Sequence, residues 1–174
     1  MAAPLEALVF RTATAADAGE RPVRPDALRH HRGERAGDGF LPPTAAEIAA
    51  VLEARLGTPG VWCLAAEDGT AVAGYVSLLP ADQGTRPVAD PGLMHFWMLF
   101  VRPPWWGSGL ASRLHAAACA EAKARGFAAL RLFTPAAQAR ARGFYEREGW
   151  TVAGARFAHD TMGIDMVEYR RPLA

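Results

Sequence analysis

Apolar and polar positions follow two different rhythms along this chain, and together they mark out strands and helices. The most apolar stretch is Leu93–Val101, with the letters LMHFWMLFV, and it lies between Pro91-Gly92 and Pro103-Pro104. A short apolar run that is rich in aromatic residues and bounded by turn residues is typical of a strand covered on both faces. We therefore expect this run to be the central strand of a sheet.

The same pattern predicts elements on both sides of that strand. Asp68-Gly69 favours a hairpin turn between two strand-like runs, Val61–Glu67 and Ala71–Leu79. Apolar residues recur at helical spacing from about Ser108 to Arg125. The remaining predicted elements are a strand over Leu8–Arg11, an irregular stretch over Gly19–Pro43, a helix from Thr44 to Leu56, a strand over Ala128–Phe133, a helix that starts at Thr134-Pro135 and ends near Glu148, and strands over Trp150–Phe157 and Ile164–Tyr169.

The order of these elements predicts an α+β (mixed α/β) fold. A hairpin lies beside a strand, helix, strand step, so we expect a mixed sheet with helices packed on it. Nothing in the sequence resembles a linker, and residues 1–174 are interpreted as a single domain.

Composition and charge exclude several classes of function. Nineteen basic residues against 18 acidic ones give a net charge of +1, which argues against a nucleic-acid-binding protein with a broad basic face. The two cysteines, Cys63 and Cys119, are far apart in sequence and predict neither a disulfide framework nor a metal site. The sequence carries no pattern of a signal peptide or a membrane span, and the expected location is the cytoplasm.

A glycine-containing turn follows the central strand and opens the next helix. Its sequence is Val101-Arg-Pro-Pro-Trp-Trp-Gly-Ser-Gly-Leu-Ala111. Glycines at such a turn allow backbone N–H groups to approach an anion, and the helix N-terminus adds partial positive charge. The nucleotide-binding P-loop is excluded because no Gly-Lys-Ser/Thr follows, and the dinucleotide motif is excluded because Ser112 replaces its last glycine. A tight strand-to-helix connection without a ligand remains the alternative.

Two motifs together resemble the GNAT acetyltransferases. The turn is similar to that family's acyl-CoA loop, Gln/Arg-x-x-Gly-x-Gly/Ala after a strand that ends in Val-x-Pro, with Gly109 and Ala111 in the glycine and alanine places. About 35 residues further on, the segment from Gln138 to Trp150 resembles the family signature Asn-x-x-Ala-x-x-Phe-Tyr-x-x-x-Gly-Phe. The resemblance extends from about Val61 to Trp150.

The resemblance implies both a fold and an activity. The fold would be a twisted, mostly antiparallel sheet with helices on both faces, in which the central strand and its successor separate to admit the pantetheine arm. The activity would be direct transfer of an acetyl group from acetyl-CoA to a primary amine of a small molecule or peptide, through a ternary complex and without a metal. Some members of the family form homodimers, so a dimer is possible for this chain.

The resemblance also implies roles for individual residues. Tyr145 would be the general acid that protonates the departing thiolate; otherwise it is a core aromatic. Leu99 would offer its backbone N–H to the thioester carbonyl, an assignment that depends on the strand register. The coenzyme would contact two strand residues, the loop and two residues of the second motif: Leu99, Val101, Trp106, Gly107, Ser108, Gly109, Leu110, Ala111, Gln138 and Arg140.

His95 is the candidate proton acceptor. It stands eleven residues before Trp106, where several GNAT enzymes carry a glutamate before the Gln/Arg of the loop. An alkylammonium has a pKa of about 10.4, so the amine must lose a proton before it can attack. The alternatives are a base elsewhere that acts through water, no base at all, or a histidine with only a structural role.

Trp106 departs from the family pattern, because a tryptophan offers one N–H donor and no charge where the family has Gln or Arg. This departure supports a second hypothesis, in which the chain is a catalytically silent CoA-binding or regulatory module. A retained Tyr145 argues against that alternative, and release of free CoA that depends on an added amine distinguishes the two.

Overall fold

A computed structural model describes residues 5–13, 54–69, 72–159 and 163–173. The irregular stretch predicted over Gly19–Pro43 and most of the helix predicted from Thr44 lie outside the described residues. Residues 54–56, at the end of that predicted helix, are helical.

Eight strands form one sheet, and two helices follow the central strands. The strands are β1 (Val9–Thr12), β2 (Trp62–Glu67), β3 (Val72–Pro80), β4 (Leu93–Val101), β5 (Ala129–Pro135), β6 (Thr151–Val152), β7 (Phe157–Ala158) and β8 (Asp165–Pro172). Two α-helices lie wholly within the described residues, α1 (Leu110–Ala124) and α2 (Ala139–Arg147), and short 3-10 turns cover Leu5–Ala7 and Pro103–Trp105.

The sheet is mostly antiparallel, as predicted. Its strand order is β1-β2-β3-β4-β5-β8-β6, and β7 also pairs with β8. Only β4 and β5 run parallel among the described pairs, because α1 connects them as a crossover. This confirms the mixed α/β fold class and the central place of Leu93–Val101.

The sheet has a covered core on each face. The first face is the one on which α1 and α2 pack, and its core includes Leu110 and Leu114 of α1, Phe96 of β4 and Leu132 of β5. The second face carries a smaller cluster around Tyr75 and Phe100, and Leu56 packs against it. Among the described residues, no helix is long and apolar enough to cross a membrane.

A β-bulge at Trp97 changes the alternation of β4. Ser77 pairs with Met98, whereas the next residue, Leu78, pairs with Phe96, so Trp97 is the extra residue on β4. Phe96 belongs to the first-face core before the bulge, and Leu99 packs against that core after it. Even-numbered residues before the bulge and odd-numbered residues after it therefore point to the same face of the sheet.

Two predicted boundaries are wrong. Thr134-Pro135 does not start a helix, because both residues pair with β8, and the chain turns at residues 136–137 before α2 begins at Ala139. Trp150–Phe157 is not one strand, because Gly154 takes a left-handed backbone (φ 86°) between the short strands β6 and β7. Pairing with β8 decides both cases, and the β8 partners lie between 7 and 33 positions further along the chain.

Candidate functional site

β4 and β5 pair over only their first three residues. The pairs are Leu93 with Ala129, Met94 with Leu130, and His95 with Arg131. Beyond them β4 continues to Val101 beside β3, and β5 continues to Pro135 beside β8. The two strands thus part after the His95–Arg131 pair, and we call the space between their unpaired ends the β4–β5 cleft.

The main chain of Leu99 and Val101 faces this cleft. The N–H of Arg102 donates to the Ala73 carbonyl at 2.8 Å, and the register continues as Val101 opposite Gly74. In an antiparallel pair, residues alternate between those that exchange hydrogen bonds with the partner strand and those that point away from it. Leu99 and Val101 are of the second kind, so their N–H and C=O groups point away from β3, into the cleft.

The glycine turn lies where β4 passes into α1. Gly107 and Gly109 have left-handed backbones, with φ of 78° and 89°, which allow the turn to be tight. Ser108 stabilises it, since its hydroxyl donates to the Trp105 carbonyl at 2.7 Å and accepts from the Leu110 N–H at 3.3 Å. Helix α1 consequently begins at Leu110, two residues later than the sequence indicated.

Several backbone N–H groups of this turn have no partner. Among the described residues, none accepts a hydrogen bond from the N–H of Gly107, Gly109, Ala111 or Ser112. Their donors and the N-terminus of α1 together form an environment suited to an anion with several oxygens.

Trp106 joins this turn to both β4 and α2. Its indole Nε1–H donates to the Val101 carbonyl at 2.7 Å, at the edge of the cleft. The Arg140 guanidinium of α2 lies over the indole ring, with Cζ at 4.0 Å from the centroid, which is a cation–π contact. Arg140 is exposed and forms no ion pair with any residue in the described ranges. A cation from α2 therefore lies beside the unpartnered N–H groups of the turn.

Tyr145 is held by an aromatic cluster on the first face. Its ring centroid lies 6.2 Å from that of Phe96, 5.9 Å from Trp150 and 5.4 Å from Phe144, all in edge-on contacts. Phe96 belongs to β4 at the start of the cleft. The half-buried Tyr145 is thus placed on α2 with a fixed ring orientation close to β4.

His95 lies on the other side of the sheet from Tyr145. It is 3% exposed, and its ring packs 5.2 Å from that of Phe133. Gly84 lies so close that a Cβ there would come within 2.8 Å of the His95 ring. Burial lowers the pKa of His95 to about 3, and the Arg131 charge acts in the same direction. The imidazole is neutral at neutral pH, and its Nδ1 has no hydrogen-bond partner among residues 5–13, 54–69, 72–159 and 163–173.

Gln138 lies at the start of α2 and is almost fully buried. Its side-chain oxygen accepts a hydrogen bond from the Thr134 hydroxyl at 3.4 Å. The contact connects the end of β5 to the first turn of α2. Its observed role is structural, while contact with a coenzyme stays a prediction.

Two polar residues near the site, Arg131 and His115, were not predicted from the sequence. Arg131 is a buried cation on β5, and the signal for it was an arginine inside the apolar run Ala128–Phe133. His115 of α1 lies 3.3 Å from the Glu148 carboxylate through Nδ1 and accepts the Trp150 indole N–H at Nε2, 2.8 Å away. No local pattern predicts the contacts of His115 with Glu148 and Trp150, because both lie more than 30 residues away.

Comparisons with known proteins agree with this geometry. A structure from Desulfovibrio desulfuricans, assigned to the GNAT acetyltransferases, is 25% identical over 96% of this chain and 99% of its own, with a TM-score of 0.68. A phosphinothricin acetyltransferase from Sinorhizobium meliloti in complex with acetyl-CoA is 20% identical over 97% of this chain and 89% of its own, with a TM-score of 0.69. A protein from Salmonella typhimurium that is described as an acetyltransferase, in a structure with its cofactor acetyl-CoA, is 19% identical over 97% of this chain and 95% of its own, with a TM-score of 0.67.

Two further findings are negative. A search of curated proteins finds no significant match. Within the described ranges, no group of three or more His, Cys, Asp and Glu side chains is arranged to hold a metal ion.

The family model of the GNAT acetyltransferases matches residues 26–150, which is most of the chain and spans the cleft, the glycine turn and α2. The chain therefore belongs to the GNAT acetyltransferase family.

Proposed function

We propose that the protein transfers an acetyl group directly from acetyl-CoA to a primary amine of a small molecule or peptide, within a ternary complex. The observation that carries this proposal is the β4–β5 cleft, which has the unpartnered N–H groups of Gly107–Ser112 at one end and Tyr145 on its first face. Acetyl-CoA would supply an activated acetyl group as a thioester.

The residues present fit the coenzyme. A pyrophosphate needs several N–H donors and positive charge, and the glycine turn with the N-terminus of α1 offers both. The remaining coenzyme contacts proposed in the turn are Trp106, Ser108, Leu110 and Ala111. The extended pantetheine arm needs backbone partners, and Leu99 and Val101 turn theirs into the cleft.

Arg140 compensates for the uncharged Trp106 in this proposal. The family pattern supplies a Gln or Arg from the loop itself, whereas here the guanidinium comes from α2 and rests on the indole. The N–H donors of a guanidinium lie in its own plane, so stacking on an aromatic ring leaves them available for phosphate oxygens. The Trp106 departure thus moves the charge to another element.

Two groups beside the cleft would assist the transfer. The Leu99 N–H points into the cleft and would stabilise negative charge on the carbonyl oxygen as the amine nitrogen bonds to the acetyl carbon. Tyr145 would give its phenolic proton to the sulfur as the carbon–sulfur bond breaks. Both assignments rest on backbone direction and on the fixed ring of Tyr145.

His95 stays the predicted proton acceptor, and its environment limits how it could act. Its neutral ring with an unpartnered Nδ1 can receive a proton. A pKa of about 3 makes it a poor base for an alkylammonium in water, so the amine would have to be desolvated first. A base acting through water, or an amine that binds already neutral, competes with it.

The test begins with calorimetric titration of the protein with acetyl-CoA. We expect saturable one-to-one binding, followed by amine-dependent thiol release with a panel of primary amines. Binding without release by any amine would favour a catalytically silent coenzyme-binding module, which the Trp106 departure also suggests. Absence of binding up to millimolar coenzyme would reject both functions.

A further inference from the structure

Arg131 is a buried cation, and no carboxylate among the described residues contacts it. It is 1% exposed, and its Nη2 donates to the carbonyls of Ala81 and Thr85 at 2.7 and 3.1 Å. Its Nε–H has no hydrogen-bond partner in the part of the chain that the structure describes. Carbonyl oxygens solvate a guanidinium but do not neutralise it, and a buried charge that lacks an opposite charge is costly. Within the described ranges this position therefore lacks a contacting counter-charge, which favours a bound anion.

Two more arginines surround Arg131, with one acid among them. Arg170 lies directly opposite Arg131 in the β5–β8 register, and Arg86 is near enough for its charge to lower the pKa of Arg131. Glu168 is the acid, and it is already bound to Arg170 at 2.8 Å. We call Arg86, Arg131 and Arg170 the arginine cluster. Counting only residues that the structure describes, three guanidinium groups against one carboxylate leave two positive charges.

Aromatic rings hold the outer part of this cluster. Arg86 is exposed, and its Cζ lies 4.4 Å from the centroid of the Phe157 ring. Phe157 packs edge-on at 5.1 Å against Phe133, and Arg131 Cζ lies 5.1 Å from the Phe133 ring. Arg86 has a left-handed backbone, with φ of 52°, and is the one non-glycine residue of this kind in the described ranges. Such a conformation costs energy in a residue that has a side chain.

The cluster lies where an acceptor would approach. Arg131 pairs with His95 at the last step before the β4–β5 cleft opens, and its neighbour His95 has an unpartnered Nδ1. Arg131 and Phe133 alternate with Leu130 and Leu132, which pack in the first-face core with α1. The cluster is consequently on the second face, opposite the glycine turn and Tyr145. If the coenzyme enters from the first face, the amine must reach the acetyl carbon from this side.

We propose that the arginine cluster binds a carboxylate of the acceptor, so that the substrate is a small primary amine with a carboxylate a few bonds away, an amino acid in the chemical sense. Arg86 and Arg170 would contact the carboxylate oxygens, and the unneutralised charge of Arg131 would strengthen that contact. The carboxylate would be held on the arginine side while the amine points into the cleft. This inference rests on the proposed function and names its substrate class.

The first test compares amino acids with their own amides as acceptors, for example glycine with glycinamide and β-alanine with β-alaninamide. The amide is similar in size to the acid but lacks the negative charge. Because its amine is less basic, the amide would react more readily than the acid in a site that does not recognise the charge. We expect kcat/KM to favour the acid at least about tenfold, which corresponds to about 1.4 kcal/mol. Turnover with equal or greater kcat/KM for the amide would overturn this inference and leave the proposed function intact. Failure to bind acetyl-CoA or to turn over any amine would overturn both.

The second test uses Arg86→Gln, an exposed position where the change leaves the core intact. We expect the preference for acid over amide to fall to within about twofold. Arg113→Gln is a matched control, because Arg113 is also exposed and lies 4.2 Å over a phenylalanine ring, that of Phe10 on β1. That variant should keep the preference. An unchanged preference in Arg86→Gln would overturn the assignment to the cluster.

A binding measurement separates recognition from catalysis. With CoA present, N-acetylglycine should bind more tightly than N-acetylglycinamide in calorimetry, and Arg86→Gln should remove the difference. Equal binding of the two products to the unaltered protein would contradict the cluster's role in recognising a carboxylate.

Discussion

At the scale of single residues, Trp106 shows how one departure from a family pattern is compensated. The indole N–H satisfies the Val101 carbonyl, and the ring face carries Arg140. A Gln or Arg from the loop could supply a donor or a charge but not this aromatic platform. Trp106 and Arg140 should therefore act as a pair.

This pairing predicts non-additive effects on coenzyme binding. Arg140→Gln and Trp106→Ala should each weaken acetyl-CoA binding about tenfold, the size of one lost charge-assisted contact. The double variant should lose little more than either single change, because the ring and the cation serve one contact. Trp106→Phe retains the ring and should lose affinity less. Calorimetric Kd values check this, and fully additive losses would show that the two residues act independently.

The proposed role of Tyr145 predicts a loss of rate without a loss of binding. Tyr145→Phe retains the ring contacts to Phe96 and Trp150 and removes only the hydroxyl. We expect kcat to fall roughly a hundredfold or more while the Kd for acetyl-CoA stays within about twofold. Tyr169→Phe is the control, since that hydroxyl bonds Arg142 and Glu146 and should affect stability rather than rate. Undiminished turnover in Tyr145→Phe would remove Tyr145 from the mechanism.

At the scale of elements, the junction between β4 and α1 depends on backbone conformation more than on space. A Cβ on Gly109 would meet only Leu5 Cδ1, at 3.6 Å, an ordinary contact. Its φ of 89° is the difficulty, because side chains disfavour the left-handed region. The glycine thus serves to orient the N–H groups of the turn.

A pair of glycine substitutions tests this point. Gly109→Ala should lower the free energy of unfolding by about 1 kcal/mol and weaken coenzyme binding. Gly143→Ala, inside α2, should raise the free energy of unfolding by about 0.5–1 kcal/mol, because glycine is a poor residue for a helix interior. Its coenzyme Kd should not change. Denaturant unfolding and calorimetry measure both, and equal Kd values for Gly109→Ala and the unaltered protein would contradict the role of the turn.

At the scale of the whole molecule, buried neutral histidines connect stability to pH. Burial lowers the pKa of His95, to about 3, and that of His115, although Glu148 opposes the shift at His115. The unfolded chain binds these protons near pH 6.5 while the folded chain does not. Stability should therefore fall as the pH drops below about 6.5, and the fall should continue toward the folded-state pKa.

This linkage predicts a measurable difference for His95→Gln. At pH 5 the His95 contribution to the loss of folding free energy is about 2 kcal/mol relative to pH 7.5. Between pH 7.5 and pH 5, the free energy of unfolding of the variant should fall by about 2 kcal/mol less than that of the parent, whatever its absolute value. Urea unfolding at the two pH values provides the comparison. Equal losses in parent and variant would mean that His95 is not neutral and buried.

The sequence by itself determined the features that depend on neighbouring residues. The apolar run of β4, the glycine turn and the presence of a helix after it are local, since composition and backbone freedom within a few positions specify them. The order of elements followed, and with it the mixed sheet and the family. Boundaries failed at Thr134-Pro135 and Trp150–Phe157, where pairing with β8 overrides local propensity.

Only the tertiary structure decided which distant residues meet. The bulge at Trp97 depends on pairing with β3, and the opening of the cleft depends on where β4 and β5 stop pairing. Arg140 reaches Trp106 across 34 positions, and Arg170 meets Arg131 across 39. Local patterns carry no information on such contacts, because long-range strand pairing and helix packing bring these side chains together.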